Sequence, residues 1–169
     1  MSTFVSVGNL KKPFHRLLQA VQDNVALLPE PVIVQHGHTP FVAAGCRAVG
    51  FLKMEDFQRE VASAEVVILH GGAGSIITAL QAGKKPIVMP RRERLGEHID
   101  DHQQDLVREF SAAGRIVVAN DSATLATAID TALSAHRIPE SIRPQDPSLL
   151  AQLVHSDLEA WSLCSKRNH

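Results

Sequence analysis

Aromatic residues and cysteines are scarce in this 169-residue sequence. It has six phenylalanines, one tryptophan and no tyrosine, so the core must consist mainly of Val, Ile, Leu and Ala. An aliphatic core of this kind suits a parallel sheet that helices cover on both faces. The two cysteines, Cys46 and Cys164, form no CxxC unit. A disulfide framework is therefore not expected, and a reducing compartment is favoured.

Charge of one sign and long apolar runs are also missing. The 17 basic and 18 acidic residues give a net charge of −1, which disfavours a broad basic face for nucleic acid or anionic lipid. No run approaches the roughly 18 apolar residues of a membrane span. The N-terminus has neither the basic nor the apolar region of a signal peptide. The sequence therefore predicts a cytoplasmic protein that binds no nucleic acid and reaches a membrane only through a partner or a surface.

Apolar runs alternate with helix-like stretches along most of the chain. We predict strands at about 3–7, 31–35, 49–52, 65–70, 86–89 and 115–118. Helices are expected at about 13–27, 55–64, 75–82, 98–113 and 122–135. This alternation predicts an α/β fold, a Rossmann-like parallel sheet with helices on both faces. It would occupy residues 1–137, and residues 138–169 would form a connector and a C-terminal helix that packs on the domain or on a partner.

The segment LHGGAGSIITALQAGKKP carries the strongest functional signal. A buried strand ends at His70, a turn rich in glycine follows, and a helix is expected to start near Ser75. Small residues let a ligand approach the backbone, and a helix N-terminus presents free N–H groups and partial positive charge. The segment therefore indicates a phosphate site, to which Ser75 adds a hydroxyl. A tight glycine turn without a ligand is the alternative interpretation.

The HGGAGS block and the later PRRERLGEHIDDHQ segment resemble the C-terminal, donor-binding domain of family 28 glycosyltransferases, one half of a GT-B fold. The resemblance covers roughly residues 4–119. It extends to the small catalytic subunits of split enzymes, and the PRRERLGEHIDDHQ segment resembles the bacterial exopolysaccharide glucuronosyltransferase branch in particular. These subunits include the eukaryotic subunit that adds the second N-acetylglucosamine to dolichol diphosphate and bacterial exopolysaccharide glucuronosyltransferase subunits. The resemblance implies an inverting UDP-sugar-dependent hexosyltransferase that acts with a partner subunit.

The resemblance also implies roles for individual residues. His70 would be the catalytic residue at the donor diphosphate. The other diphosphate contacts would be Gly72, Ala73, Gly74, Ser75, Gly8 and Asn9. The ribose and uracil would meet Thr78, Phe51 and Leu52, and the donor sugar would meet Asp101, Gln103 and Gln104. Two of these positions depart from the family pattern: Thr78 replaces a glutamate that holds the ribose, and Asn9 replaces a threonine.

For cofactors and partners, the resemblance implies a UDP-sugar as donor substrate, with neither a cofactor nor a metal. The chain has no convincing acceptor site or general base. A membrane-associated partner glycosyltransferase subunit is therefore expected to supply the acceptor half, with a lipid-linked sugar as acceptor in polysaccharide biosynthesis. That partner would hold the chain at the inner face of the membrane. Arg91, Arg92 and Arg94 suggest an acidic donor such as UDP-glucuronate.

Several alternatives remain open from the sequence. The chain could be a non-catalytic sugar-nucleotide-binding module that regulates or scaffolds a polysaccharide complex, or a sugar-nucleotide epimerase of the same fold. His98 and His102 are four apart on a predicted helix, with Asp101 between them, which is a ligand-like spacing for zinc. The three arginines could equally form a solvated loop. The sequence assigns no role to His15.

Overall fold

The computed structural model describes residues 1–99 and 102–136, which form a six-stranded parallel sheet with helices on both faces. The strands are β1 (Thr3–Ser6), β2 (Val32–Gln35), β3 (Cys46–Val49), β4 (Val66–His70), β5 (Ile87–Met89) and β6 (Val117–Val118). The helices are α1 (His15–Asp23), α2 (Met54–Ser63), α3 (Ala73–Gln81), α4 (His102–Ala112) and α5 (Ser122–His136). The predicted connector and C-terminal helix at 138–169 lie outside the described residues.

Alternation along the buried strands distributes the core over the two faces of the sheet. Val5 and Ile68 point to one face, where they pack with residues of α1 and α5 such as Leu17 and Ile129. Phe4 points to the opposite face, where its cluster includes residues of α2 and α3. A third cluster joins β5 to α3 and α4. The Rossmann-like fold predicted from the sequence is confirmed.

The edge strand β3 lies earlier in the chain than predicted. We expected a strand at 49–52, but the strand is Cys46–Val49, paired in register with Val32–Gln35. Its middle residues, Arg47 and Ala48, are exposed. The apolar signal for this strand is therefore weak, and the more apolar residues that follow it belong to the next loop.

Two helix starts also differ from the sequence prediction. Helix α3 begins at Ala73, two residues before the expected Ser75, because the extended backbone of Gly72 already serves as its N-cap. Helix α4 begins at His102 and not at 98. A short 3₁₀ turn precedes it, ending at Gly96 in the left-handed conformation. The carboxylate of Glu97 then accepts the Arg92 backbone N–H at 3.0 Å, which holds residues 92–97 as a loop.

The strand order is β3-β2-β1-β4-β5-β6, so the connections reverse direction between β1 and β4. In open parallel sheets, ligands bind beyond the carboxyl ends of the strands at such a point. The loops that follow β1 and β4 begin with Val7–Gly8 and Gly71–Gly72. Within the part of the chain that the structure describes, no helix is long and apolar enough to cross a membrane.

Gly37 holds the loops after β1 and β2 close together. It has a φ of +56°, and a Cβ atom placed on it would lie 2.8 Å from the Gly8 carbonyl oxygen. We expect Gly37→Ala to lower the free energy of unfolding by about 2 kcal/mol. The alanine would be held in a left-handed backbone conformation, and its Cβ would collide with the Gly8 carbonyl oxygen. Urea unfolding measures the loss. Gly50→Ala is the matched control, since nothing lies within 4 Å of its Cβ position. An equal loss in both variants would contradict the close approach.

Candidate functional site

The His70 side chain lies between two glycines at the switch point of the sheet. A Cβ atom placed on Gly8 or on Gly72 would overlap the imidazole ring. Gly8 also has a φ of +75°, a conformation that favours glycine. The two glycines are therefore required for His70 to occupy this position, and the ring joins the end of β4 to the first turn after β1.

The glycines of the HGGAGS block have different reasons to be glycine. A Cβ on Gly71 would lie 3.1 Å from Gln103 Oε1, and a Cβ on Gly72 would meet His70. Nothing lies within 4 Å of the corresponding position on Gly74. Packing within the described residues therefore does not require glycine at 74. The open space lies over the first turn of α3, where the N–H groups of Ala73, Gly74 and Ser75 precede the first intrahelical bond, from Ile76 to Gly72.

The electrostatic environment keeps His70 neutral. Burial lowers the pKa of His70 to about 4, and the positive charge of Arg91 acts in the same direction. A hydrogen bond to the Ser6 backbone raises the pKa in part, and the charge of His98 lowers it by a smaller amount. Nδ1 is buried and has no hydrogen-bond partner in the described structure. At neutral pH the ring is therefore uncharged.

A chain of polar contacts fixes the turn that covers His70. The Gly8 N–H donates to Ser6 Oγ at 3.1 Å, and that hydroxyl donates to Gln35 Oε1 at 3.0 Å. The Gln35 amide in turn donates to Asn9 Oδ1 at 3.2 Å. Asn9, which departs from the family pattern, therefore has its amide oxygen engaged by the neighbouring strand.

Phe51 follows β3 and presents an exposed ring beside the same turn. Half of its surface (51%) is accessible, and the His38 ring packs against it edge-on with a centroid distance of 4.9 Å. Phe51 Cε1 would lie 3.8 Å from a Cβ on Gly37, so the ring flanks the loops after β1 and β2. Leu52 packs partly on the core cluster around Phe4. Of the two residues predicted to flank the uracil, Phe51 thus has an exposed ring and Leu52 is partly buried.

Thr78 lies one turn beyond Gly74 on α3. Its hydroxyl donates to the Gly74 carbonyl at 2.8 Å, within its own helix. The hydroxyl proton is therefore in use, and only the oxygen lone pairs remain to accept a bond from a ligand.

The two glutamines at the start of α4 face different surroundings. Gln103 packs on Gly71, and its buried Oε1 has no hydrogen-bond partner among the described residues. Gln104 instead lines a groove of about 490 Å³ between α4 and the end of β6, together with Val107 and Asn120. The structure thus places Gln103 next to the HGGAGS turn and Gln104 to one side of it. Asp101 lies outside the described residues.

Arg91 is neither a ligand clamp nor part of a solvated loop, the two possibilities left open by the sequence. Its side chain is fully buried, and its guanidinium donates to the Val7, Lys12 and Glu97 carbonyls at 2.8, 2.9 and 3.0 Å. Burial lowers the pKa of Arg91 to about 10, which leaves it charged at neutral pH. Arg92 donates to Asn120 Oδ1 at 2.7 Å, and Arg94 is exposed.

A second arginine, Arg16 on α1, pairs with Glu97. Its Nε and one terminal nitrogen donate to the two carboxylate oxygens at 3.0 and 2.7 Å. Arg16 also donates to the Pro90 and Asn120 carbonyls at 2.7 and 2.8 Å. Four residues of this region were not predicted from the sequence: Arg16, Glu97, Ser6 and Gln35. Ser6 and Gln35 do carry a signal, since each is a polar residue at the carboxyl end of a buried strand.

The zinc hypothesis loses its geometric premise. His98 lies in the loop before α4, so it does not share a helix with His102. The His98 carbonyl accepts the Lys12 ammonium at 2.7 Å. Across residues 1–99 and 102–136, no group of three His, Cys, Asp or Glu residues could hold a metal ion. His15 is the exposed first residue of α1.

The chain is similar to known proteins in both sequence and fold. A protein of Yarrowia lipolytica (strain CLIB 122 / E 150), named UDP-N-acetylglucosamine transferase subunit ALG13, is 28% identical over 107 residues. Those residues make up 62% of this chain and 52% of the relative, so the chain spans about half of that protein.

Solved structures share the fold at lower identity. The calicheamicin glycosyltransferase CalG4 has a TM-score of 0.62 at 16% identity, over 89% of this chain and 35% of that one. The NMR structure of ALG13 has a TM-score of 0.53 at 20% identity, over 90% of this chain and 94% of that one. The family description "Glycosyltransferase family 28 C-terminal domain" matches residues 3–143. The resemblance found in the sequence is confirmed, and the chain belongs to glycosyltransferase family 28, with the Rossmann-like domain that forms one half of a GT-B fold.

Proposed function

We propose that this chain is the donor-binding, catalytic subunit of an inverting UDP-sugar-dependent glycosyltransferase. The observation that carries the proposal is the open first turn of α3 at the switch point of the sheet. Gly8 and Gly72 are glycines because His70 needs the space, whereas Gly74 leaves its space empty. An anion bound there would meet the N–H groups of Ala73, Gly74 and Ser75 and the positive end of the helix.

The nucleotide would extend from this turn toward β3. Its diphosphate would lie over Gly74 and Ser75, next to His70 and the Gly8–Asn9 turn. The ribose would meet the Thr78 hydroxyl as an acceptor, since its proton is engaged by Gly74. The uracil would stack on the exposed face of Phe51, with Leu52 below. Gln103, with its unpartnered Oε1 beside Gly71, would meet the donor sugar. The same role stays a prediction for Asp101 and for Gln104, which lines the neighbouring groove.

The chemistry follows from charge that develops on the leaving diphosphate. When an acceptor oxygen attacks the anomeric carbon, the bond to the diphosphate breaks and its oxygens gain negative charge. Fixed N–H groups that already point at those oxygens stabilise the transition state without reorganisation. His70, neutral when free, would donate a further hydrogen bond. This arrangement calls for no metal and no cofactor besides the UDP-sugar.

The acceptor half and the general base are assigned to a partner subunit. Glu97, a buried carboxylate in the loop after β5, is committed to Arg16 and to the Arg92 N–H, so it is not available as a base. The Yarrowia relative is named a transferase subunit, which supports a partner here. The partner would be membrane-associated and would present a lipid-linked sugar, which would keep this chain at the cytoplasmic face of the membrane.

Two observations point to different donor sugars and different pathways. The relative's name refers to UDP-N-acetylglucosamine, whereas the arginine-rich loop suggested UDP-glucuronate for exopolysaccharide synthesis. The structure weakens the argument for UDP-glucuronate, because Arg91 is buried and Arg92 donates a hydrogen bond to Asn120. An acidic donor would rely on the exposed Arg94. We therefore keep both donors as candidates, to be separated by competition of each UDP-sugar against UDP.

Gly74→Ala tests the diphosphate site. A methyl group there should lower the affinity for UDP on the order of tenfold, because it blocks the approach of the diphosphate to the helix N–H groups. The free energy of unfolding should stay equal or rise by up to about 1 kcal/mol, since Ala is the better helix former. Calorimetric titration with UDP and urea unfolding measure the two effects.

Thr131→Ala on the exposed face of α5 is the matched control for Gly74→Ala. It also exchanges a residue for a better helix former, and it should leave UDP binding unchanged. If Gly74→Ala bound UDP as tightly as the unmodified chain does, the diphosphate would have to lie elsewhere.

The split-enzyme assignment predicts a separation of binding from turnover. The purified chain should bind UDP and UDP-sugars but transfer sugar very slowly or not at all, because the proposal assigns the acceptor half to the partner. Co-purification from native membranes should recover the partner, and adding it back should restore transfer to a lipid-linked sugar. Robust transfer by the single chain would refute the need for a partner. UDP binding without turnover in the reconstituted pair would favour the non-catalytic module.

A further inference from the structure

Arg91 is the largest fully buried side chain of the described structure, and it touches neither solvent nor a carboxylate directly. Its guanidinium carbon lies 4.5 Å from the centre of the Phe14 ring. All its hydrogen-bond acceptors are backbone carbonyls, and three of them lie within 3.0 Å. A buried charge that is merely structural is costly and often replaceable by apolar residues. We therefore look for the role of Arg91 in the segments to which those three carbonyls belong.

The three carbonyls belong to the two loops that border His70. Val7 and Lys12 lie on either side of the turn whose Gly8 packs on the imidazole ring. Glu97 lies in the loop that leads to α4 and Gln103. Arg91 therefore joins both ends of the covering turn to the loop after β5. If this bridge loosened, Gly8 could move away from His70 without any change in the sheet.

The charge of Arg91 also reaches His70. It is the second cause, after burial, of the lowered pKa of that histidine, and His98 contributes less. The same side chain thus fixes the wall of the pocket around the ring and favours the neutral imidazole. These are two effects on a single neighbour, and both arise without contact between Arg91 and a ligand.

We propose that Arg91 is a positioning residue that holds His70 in its working place against the donor diphosphate, by bridging the Val7–Lys12 turn to the loop after β5. The proposal rests on the proposed function in one respect, that His70 meets the diphosphate. It adds a residue that the family resemblance did not assign and that the sequence analysis placed on the ligand or in solvent.

Arg16 offers a matched control in the same region. It too stacks near Phe14, at 5.3 Å, and it donates to the Pro90 and Asn120 carbonyls and to Glu97. It does not bond to the turn that covers His70, and it is not among the causes of the shifted His70 pKa. Arg16→Lys should therefore weaken the fold to a similar degree as Arg91→Lys and leave His70 as it was.

The test combines two measurements on the full chain. UDP affinity is measured by calorimetry for Arg91→Lys and Arg16→Lys, each alone and combined with His70→Asn. The imidazole of His70 is titrated by NMR in the absence of nucleotide for the unmodified chain, Arg91→Met and Arg16→Lys. Phe14→Leu, which removes the ring beneath Arg91 and retains its charge, is the second variant if substitution of Arg91 prevents folding.

We expect Arg91→Lys to lower UDP affinity about tenfold when His70 is present and less than about threefold when it is Asn, because the loss acts through His70. Arg16→Lys should show the same small change in both backgrounds. The pKa of His70 should rise toward its ordinary value in Arg91→Met only. Equal losses of affinity with and without His70, or an unmoved His70 pKa, would overturn the positioning role.

The two parts of the test separate the two proposals. If the unmodified chain binds no UDP, the proposed function fails, while the nucleotide-free titration still decides whether Arg91 controls His70. If UDP binds and the Arg91 effect is independent of His70, the proposed function stands and the positioning role is rejected.

Discussion

The contact of the His70 imidazole with Gly8 and Gly72 is the constraint from which the rest of the site follows. A ring in that position leaves no room for a side chain on either glycine. It therefore fixes the distance between the end of β4 and the turn after β1, the two strands at which the connections of the sheet reverse. The first turn of α3 is exposed beside the ring, because α3 begins at Ala73, directly after the glycine that packs on the ring.

Two arginines keep the surrounding loops in place by different means. Arg16 pairs with a carboxylate, Glu97, and is partly exposed, so its charge is largely compensated. Arg91 is fully buried and bonds to carbonyls, so its charge acts on whatever ionisable group lies nearby. Glu97 is one such group. His70 is another: its pKa falls to about 4, through burial first and the charge of Arg91 second. Loop geometry and the protonation of the histidine are thus coupled through one side chain.

The fold could be predicted from the sequence wherever strands are buried on both faces. The runs that contain Val5, Val34 and Ile68 are apolar and short, and each predicted its strand to within two residues. The exposed edge strand β3 was misplaced because its exposed Arg47 and Ala48 give no apolar signal.

The site was only partly predictable, because motifs report residues near the backbone of a turn and not those that act across loops. The glycine-rich block and His70 stand together in the sequence, so their proximity was foreseeable. Arg91 stands 84 residues from Val7, and no local pattern distinguishes its burial from the exposure of Arg94. The start of α4 was predicted too early for a related reason. The hydrogen bond from the Arg92 N–H to the Glu97 carboxylate holds a loop where residue propensity favours a helix.

The central claim is that a nucleoside diphosphate binds over the first turn of α3, between His70 and Phe51. A titration of the ¹⁵N-labelled chain with UDP, followed by amide NMR shifts, tests it most directly. The largest changes should occur at Gly8, Gly37, Phe51 and the segment from Gly72 to Ser75, with little change in the groove between α4 and β6. Changes concentrated in that groove, at Ser111 and Ala112, or none at saturating UDP, would contradict the account.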